Sequence, residues 1–336
     1  MTATATTHPL DAADGGSAAG TPLRGRDAVP ASRRRPGICS IAIVIGVLAA
    51  VVSFAGSWIP SFWGDEAASV MSAERPLSTL FPMLGHVDAV HGLYYAFLHG
   101  WIDLFGASEL STRLPSAIGI GLAAAGTVTL GALLFDRRIA VIAGLVFAVL
   151  PRVTYMGAEA RSYAPGTAIA VWLTVLLVVL LRRRTTRVLP WVLYSLGLAL
   201  AVYSFLYMVL LGLVHAIVVL TTGKRAVLRR WTGAAGLGLA LALPVIVWAL
   251  GEHGQISFLG KRPRFSPSLV FVSQWFGNGL IAVLCWALIV VAIVVAALAW
   301  WRQSPRRIPA GITLAASWLV LPTLLLERGN NFVVPM

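Results

Sequence analysis

Charge is what this sequence has least of. Aspartate, glutamate, lysine and arginine together supply 12% of its 336 residues, where a soluble globular chain carries about a quarter. So little polar surface cannot clothe a water-soluble core of this size, which sets aside soluble enzymes and nucleic-acid-binding domains as classes. Cysteine is nearly missing too. Cys39 and Cys285 are the whole complement, and both fall in apolar runs, so they read as small core hydrophobes with neither a disulfide nor a metal role. There is also no glycine-rich phosphate loop, so no nucleotide site is expected.

What the sequence does have is apolar length. Hydrophobic residues make up 58% of the chain, mean hydropathy is +0.83, and the apolar residues come in blocks near the ~20 needed to cross a hydrocarbon layer. Nine spans are expected, at 38–58, 114–135, 139–156, 164–181, 188–204, 206–222, 232–250, 279–301 and 309–326. With the N-terminus in the cytoplasm and alternating sides, 18 of the 26 basic residues fall inside, as the positive-inside rule requires. Nine of the 13 acidic residues fall outside. The net charge of +13 is thus a topology signal and implies no nucleic-acid partner. The fold class expected is an all-α polytopic membrane protein, multi-pass in the plasma membrane.

Residues 1–37 are rich in Ala, Thr, Gly, Pro and Asp and then basic, and read as a disordered cytoplasmic tail. The span after it is too long for a cleaved signal peptide and reads as a retained anchor. Residues 38–336 form the membrane domain, with outer loops at 59–113, 151–163 and 251–278. The first is long enough to be functional. Within it, 67–72, 77–84 and 91–105 have helical apolar spacing and suit amphipathic surface helices. The stretch 269–276 suits another.

The outer loops hold the candidate chemistry. Asp65 and Glu66 follow the first span. Adjacent carboxylates cannot share a face, so one can address a substrate while the other holds the loop. Aspartate is short and stiffly placed, which suits a general base for an alcohol; the plain alternative is a solvated acidic loop. His86, Asp88 and His91 precede Tyr94 and Tyr95. His-x-Asp-x-x-His is a loose metal spacing, and hydrogen bonding to an acceptor is the better reading, with no cofactor required. Arg113 stands at a span entrance, where the plain role is interface anchor. Glu159, Arg161 and Tyr163 sit at alternate positions before another span, and Arg161 can pair with Glu159 or grip a phosphate. Lys261, Arg262 and Arg264 form a basic cluster on the acidic side, suited to lipid headgroups or to a phosphate leaving group.

The Asp-Glu pair, the His/Asp segment before Leu-Tyr-Tyr, Arg-Leu-Pro-Ser at 113–116 and Glu-Ala-Arg-Ser-Tyr at 159–163 together resemble the integral-membrane GT-C glycosyltransferases. The nearest branch holds protein O-mannosyltransferases, aminoarabinose–lipid A transferases and bacterial galacturonosyl- or mannosyltransferases. The resemblance implies a polyprenyl-phosphate sugar donor, a protein or glycolipid acceptor and transfer on the outer membrane face. It also implies an essential acid at Asp65, with Glu66 beside it, and places Arg113, Glu159, Arg161 and Tyr163 in the site. Arg161, Lys261 and Arg262 then suit the donor phosphate; His86, Asp88, His91, Tyr94, Tyr95, Arg113, Glu159 and Tyr163 suit the sugar and acceptor. Members commonly carry more spans, so this chain reads as a short variant, a fragment or a truncated product. The alternatives from other classes are a transporter or channel, disfavoured because ionisable groups are almost absent from the spans except His215, and an inactive scaffold.

Overall fold

The structure, a computed structural model, describes residues 37–185, 187–223, 225–252, 268–273, 275–302 and 309–332. The expected tail, apart from its last residue, and the Lys261, Arg262 and Arg264 cluster lie outside the described residues. Among those described, every regular element is helical: α1 (Ile38–Phe54), α2 (Gly64–Ala73), α3 (Leu77–Leu84), α4 (Gly92–Phe105), α5 (Glu109–Leu134), α6 (Arg137–Val149), α7 (Pro151–Gly157), α8 (Tyr163–Arg183), α9 (Leu189–Ser204), α10 (Val209–Thr222), α11 (Arg225–Gly251), α12 (Gly279–Trp301) and α13 (Ala310–Phe332).

Each expected span coincides with one of these helices or, at 139–156, with a pair. By length and composition α5, α8, α11 and α12 are the four that can cross a membrane alone, and α6 with α7 makes five if counted as one broken span. The stretches expected at 38–58, 188–204 and 206–222 are shorter apolar helices, as is the part of α13 up to Leu325. The 17 residues of α1 extend only about 25 Å at 1.5 Å per residue. Sequence hydropathy runs past the helix end here, because the residues from Ala55 to Trp58 that follow α1 are also largely apolar.

Local chemistry sets the boundaries. Asp136 caps α6 by accepting from the N–H groups of Arg138 and Ile139 at 2.7 and 2.9 Å. Asn278 caps α12 in the same way. Pro151 cannot continue the hydrogen-bond ladder of α6, and the chain turns by 63° into α7. Residues expected as the second outer loop therefore begin as helix.

Two packed groups carry the described spans. In the first, α1 lies directly on α5 through small residues. A Cβ added at Gly46 would stand 2.7 Å from the Gly121 carbonyl oxygen, and one at Gly121 would stand 2.7 Å from that of Gly46. Close backbone contact of this kind is how helices associate where lipid removes the hydrophobic drive. Ile45, Ile120 and Val128 fill the adjoining core. The second group joins α8, α9, α10 and α11 around Leu173, Leu177, Trp191, Tyr194 and Leu198. In contrast, α12 is almost wholly exposed, as a lipid-facing helix would be. A third, smaller core formed by Val70, Leu80, Leu84, Tyr95 and Leu98 holds α2, α3 and α4 together, so the long first loop is folded.

A single polar chain crosses the second group. Trp231 Nε1 donates to the Tyr194 hydroxyl at 3.0 Å, and that hydroxyl is 2.8 Å from His215 Nδ1. His215 Nε2 is 3.0 Å from the Thr174 hydroxyl, which donates to the Ala170 carbonyl at 2.7 Å. One proton arrangement satisfies all of them: Tyr194 donates to Nδ1, and Nε2–H donates to Thr174. His215, the one ionisable residue expected deep in a span, thus acts as a neutral joint between helices. His215→Leu should lower stability by about 1–2 kcal/mol, and adding Tyr194→Phe should cost less than the sum of the two single changes. Thermal unfolding in detergent measures this cycle; strictly additive losses would rule out the joint.

Candidate functional site

The site begins at the first turn of α2. Asp65 and Glu66 are successive residues there, so their side chains diverge by about 100°. Glu66 turns inward and is 1% exposed, whereas the Asp65 side chain is 54% exposed. Glu66 Oε2 reaches back to the Trp63 N–H at 3.4 Å, half of a capping box, and its charge suits the positive helix terminus.

Arg113 enters from α5 and meets Glu66 in a two-point fork, Nε to Oε1 at 2.8 Å and Nη2 to Oε2 at 2.6 Å. Its remaining N–H groups go to the carbonyls of Pro60 at 2.7 Å, Ser61 at 3.3 Å and Ser57. All five guanidinium donors are engaged within the chain. Its cation also stands 5.3 Å from the centre of the Phe62 ring. Glu66 Oε1 takes one more bond, from the Ala160 N–H at 2.8 Å. One carboxylate therefore ties together the chain at 57–63, α5 and the turn before α8.

That turn delivers Arg161 to the open side of α2. Its Nη1 donates to the Asp65 carbonyl at 3.1 Å and to the Ser69 hydroxyl at 3.0 Å, and Nη2 lies 3.6 Å from Asp65 Oδ2. Nη2 also lies 3.4 Å from His91 Nε2. Burial, and after it the Arg161 charge, lowers the His91 pKa from 6.5 to about 4. The ring is therefore neutral at pH 7 and can accept from Arg161. Ser69, four residues after Asp65 on the same helical face, donates to the Asp65 carbonyl at 2.9 Å. The i, i+4 spacing was the signal that could have found it.

The other expected residues surround this core unevenly. Tyr95 donates to Asp88 at 3.1 Å and lies against the His91 ring. Asp88 adopts a left-handed backbone conformation, φ 58°, that turns the chain into the Ala89–His91 helical turn. Glu252, a residue unmarked by any sequence pattern, accepts from the Ala89 N–H at 3.0 Å and fastens that turn to the end of α11. Burial raises the pKa of both Tyr94 and Tyr95, so both hydroxyls stay protonated. Glu159 is buried, and burial pushes its carboxyl toward the neutral form. Tyr163 sits beneath Arg161, 5.6 Å from guanidinium to ring centre. His86 lies exposed before Asp88. Among the described residues, no three His, Cys, Asp or Glu side chains are grouped to hold a metal ion.

Beside Tyr94 opens an apolar cavity of about 410 Å³ between α4, α5, α8 and α9. Tyr94, Phe97 and Trp101 of α4 form one wall, with successive ring centres 6.4 and 6.2 Å apart. Pro115, Ile118 and Leu122 of α5 form the facing wall.

Residues 92–248 match the family model described as dolichyl-phosphate-mannose-protein mannosyltransferase. No curated protein and no solved structure matches. The matched segment runs from the start of α4 almost to the end of α11 and contains Tyr94, Tyr95, Arg113, Glu159, Arg161 and the whole apolar cavity. Just under half of the chain is thus similar to the dolichyl-phosphate-mannose-protein mannosyltransferase family, in line with the GT-C resemblance of its motifs.

Proposed function

We propose that the protein moves a hexose, mannose by family analogy, from a polyprenyl-phosphate donor to an acceptor hydroxyl on the outer face of the plasma membrane, with inversion at the sugar. The observation that carries this reading is the unequal treatment of two adjacent carboxylates. Glu66 is buried and consumed by Arg113 and the backbone, while Asp65 is exposed and faces only Arg161.

In this mechanism the acceptor oxygen attacks the anomeric carbon and its proton passes to Asp65. The bond from that carbon to the phosphate oxygen breaks, and its electron pair leaves with the lipid phosphate. Negative charge grows on the departing oxygen, where a fixed cation stabilises it. Arg161 is the cation in place, and Lys261 and Arg262 are proposed on sequence grounds as further ones. Glu66 and Arg113 hold Asp65 in position without touching substrate. His91, Tyr95 and Tyr163 brace Arg161, and His86, Asp88 and Glu159 complete the sugar and acceptor side. The acceptor is a protein or glycolipid hydroxyl, and no metal takes part.

Asp65→Asn should reduce transfer by about 10²–10⁴-fold, with insertion and thermal stability unchanged because the side chain is exposed. Membranes supplied with a radiolabelled polyprenyl-phosphate mannose provide the assay. Wild-type transfer by the variant removes Asp65 as base, and protein-dependent flux of the donor without transfer would favour a carrier.

Arg113→Ala should behave differently. It leaves Glu66 buried without its partner, at a cost of about 3–5 kcal/mol, so both folding and transfer should fall. Combining Glu66→Leu with Arg113→Met should recover much of the stability and little of the transfer. Thermal unfolding beside the transfer assay separates the two effects.

His91 sets an acid limit. Its folded pKa of about 4 lies below the ordinary 6.5, so protonation favours the unfolded chain. The contribution is complete above pH 6.5 and is lost as pH falls toward 4. His91→Gln should flatten the stability–pH curve in that window relative to wild type; superimposable slopes would contradict a buried neutral histidine.

A further inference from the structure

The apolar cavity beside the site carries two polar groups with nothing to bind. Four side-chain polar groups stand on its walls: Tyr94 OH, Trp101 Nε1, Ser162 Oγ and Ser204 Oγ. Trp101 donates to the Ser111 carbonyl at 3.0 Å, and Ser204 donates to the Leu200 carbonyl at 2.8 Å. Tyr94 and Ser162 are 4% and 2% exposed, and neither hydroxyl has a hydrogen-bond partner. Buried hydroxyls are normally satisfied, so two orphans on residues that line one cavity point to a polar atom supplied from outside.

Their neighbour narrows the chemistry. Ser162 follows Arg161 directly, and Ser116, which lies near the Tyr94 hydroxyl without closing a bond, donates to the Arg161 carbonyl at 3.3 Å. Arg161 uses Nη1 and Nη2 on Asp65, Ser69 and His91, but its buried Nε has no partner. The two unmet hydroxyls of the cavity wall can both donate, and the Arg161 cation is the residue next to Ser162. Beyond them the cavity walls are Phe97, Trp101 and Leu122, which give no purchase to a sugar's hydroxyls. A ligand fitting both parts has an anionic head, rich in acceptors, on a long apolar chain.

We infer that Tyr94 and Ser162 are recognition residues for the phosphate of the lipid-linked donor, their hydroxyls donating to its non-bridging oxygens while its first apolar units lie along Phe97 and Trp101. This rests on the donor reading above and takes Tyr94 from the sugar side of the site to the phosphate side. Geometry separates the tasks: Asp65 and His91 take up the outer N–H groups of Arg161, while the hydroxyl pair stands on the cavity wall behind them. The pair adds to affinity for the phosphorylated chain and takes no part in proton transfer.

The test uses the full chain in phosphatidylcholine nanodiscs, with a polyprenyl monophosphate and the polyprenol of the same length as probes. Wild type should prefer the phosphate by at least about tenfold. Tyr94→Phe and Ser162→Ala each remove one oxygen and should each weaken phosphate-lipid binding by about 10–100-fold, the worth of a hydrogen bond to a charged group, while polyprenol binding stays constant. Sugar transfer by the variants should show a raised donor KM and an unchanged acceptor KM. Equal wild-type affinity for the two lipids overturns the inference. So does an undiminished phosphate preference in both variants, a parallel loss of polyprenol binding, or an effect confined to acceptor KM. Selective phosphate-lipid binding without sugar transfer would instead sink the transferase reading and leave this recognition site standing.

Discussion

The Glu66 carboxylate is the point through which the candidate site is assembled. Two N–H groups of Arg113, the Ala160 N–H and, at longer range, the Trp63 N–H converge on its two oxygens. Segments from three distant parts of the chain meet there, and each brings a functional neighbour. The α2 turn brings Asp65, and the turn before α8 brings Arg161. An ion pair removed from water carries a large desolvation cost, offset only when geometry and additional hydrogen bonds are nearly complete. Here they are, since every donor of Arg113 is used. Such a pair specifies one arrangement sharply while adding modest net stability, which is what a site dependent on the separation of Asp65 and Arg161 requires.

The apolar cavity extends the same logic beyond the charged cluster. Of its walls, α5 packs on α1 and directly on α8, while α8 and α9 pack on each other and on α10 and α11. The close Gly46–Gly121 approach brings α5 against α1. The polar chain through His215 fastens α8, α9, α10 and α11 without help from hydrophobic drive. Both joints fix helices that line the cavity.

Much of this was legible in the sequence because hydropathy and charge are one-dimensional signals. The helices in the long first segment, the adjacent acids and the basic residue at 161 all follow from spacing. Adjacency also required Asp65 and Glu66 to face different ways, but which of the two turns inward depends on where Arg113 lands, 47 residues away. The carbonyls of Ser57, Pro60 and Ser61 carry no side-chain signature, so the saturation of Arg113 could not be read. Nor could Glu252, whose partner is a backbone N–H on a remote turn. Hydropathy likewise does not mark where a helix stops, because apolar loops and apolar helices score alike while only hydrogen-bonded geometry fixes length.

The charges at the centre are balanced in a way that bears on the proposed reaction. Glu66 offsets Arg113, Asp65 offsets Arg161, His91 is neutral, and burial pushes Glu159 toward its neutral form. In the proposed reaction a donor phosphodiester would therefore arrive beside a cation already partnered by Asp65. When Asp65 accepts the acceptor's proton it loses its charge, and the positive field of Arg161 is no longer opposed from that side. In the same step the departing phosphate gains negative charge. One proton transfer thus activates the nucleophile and unmasks the cation that receives the leaving group, which makes the 3.6 Å contact between Arg161 and Asp65 a coupling between the two halves of the reaction. That coupling requires an aspartate free to change its charge, and a buried, four-fold hydrogen-bonded Glu66 could not take its place.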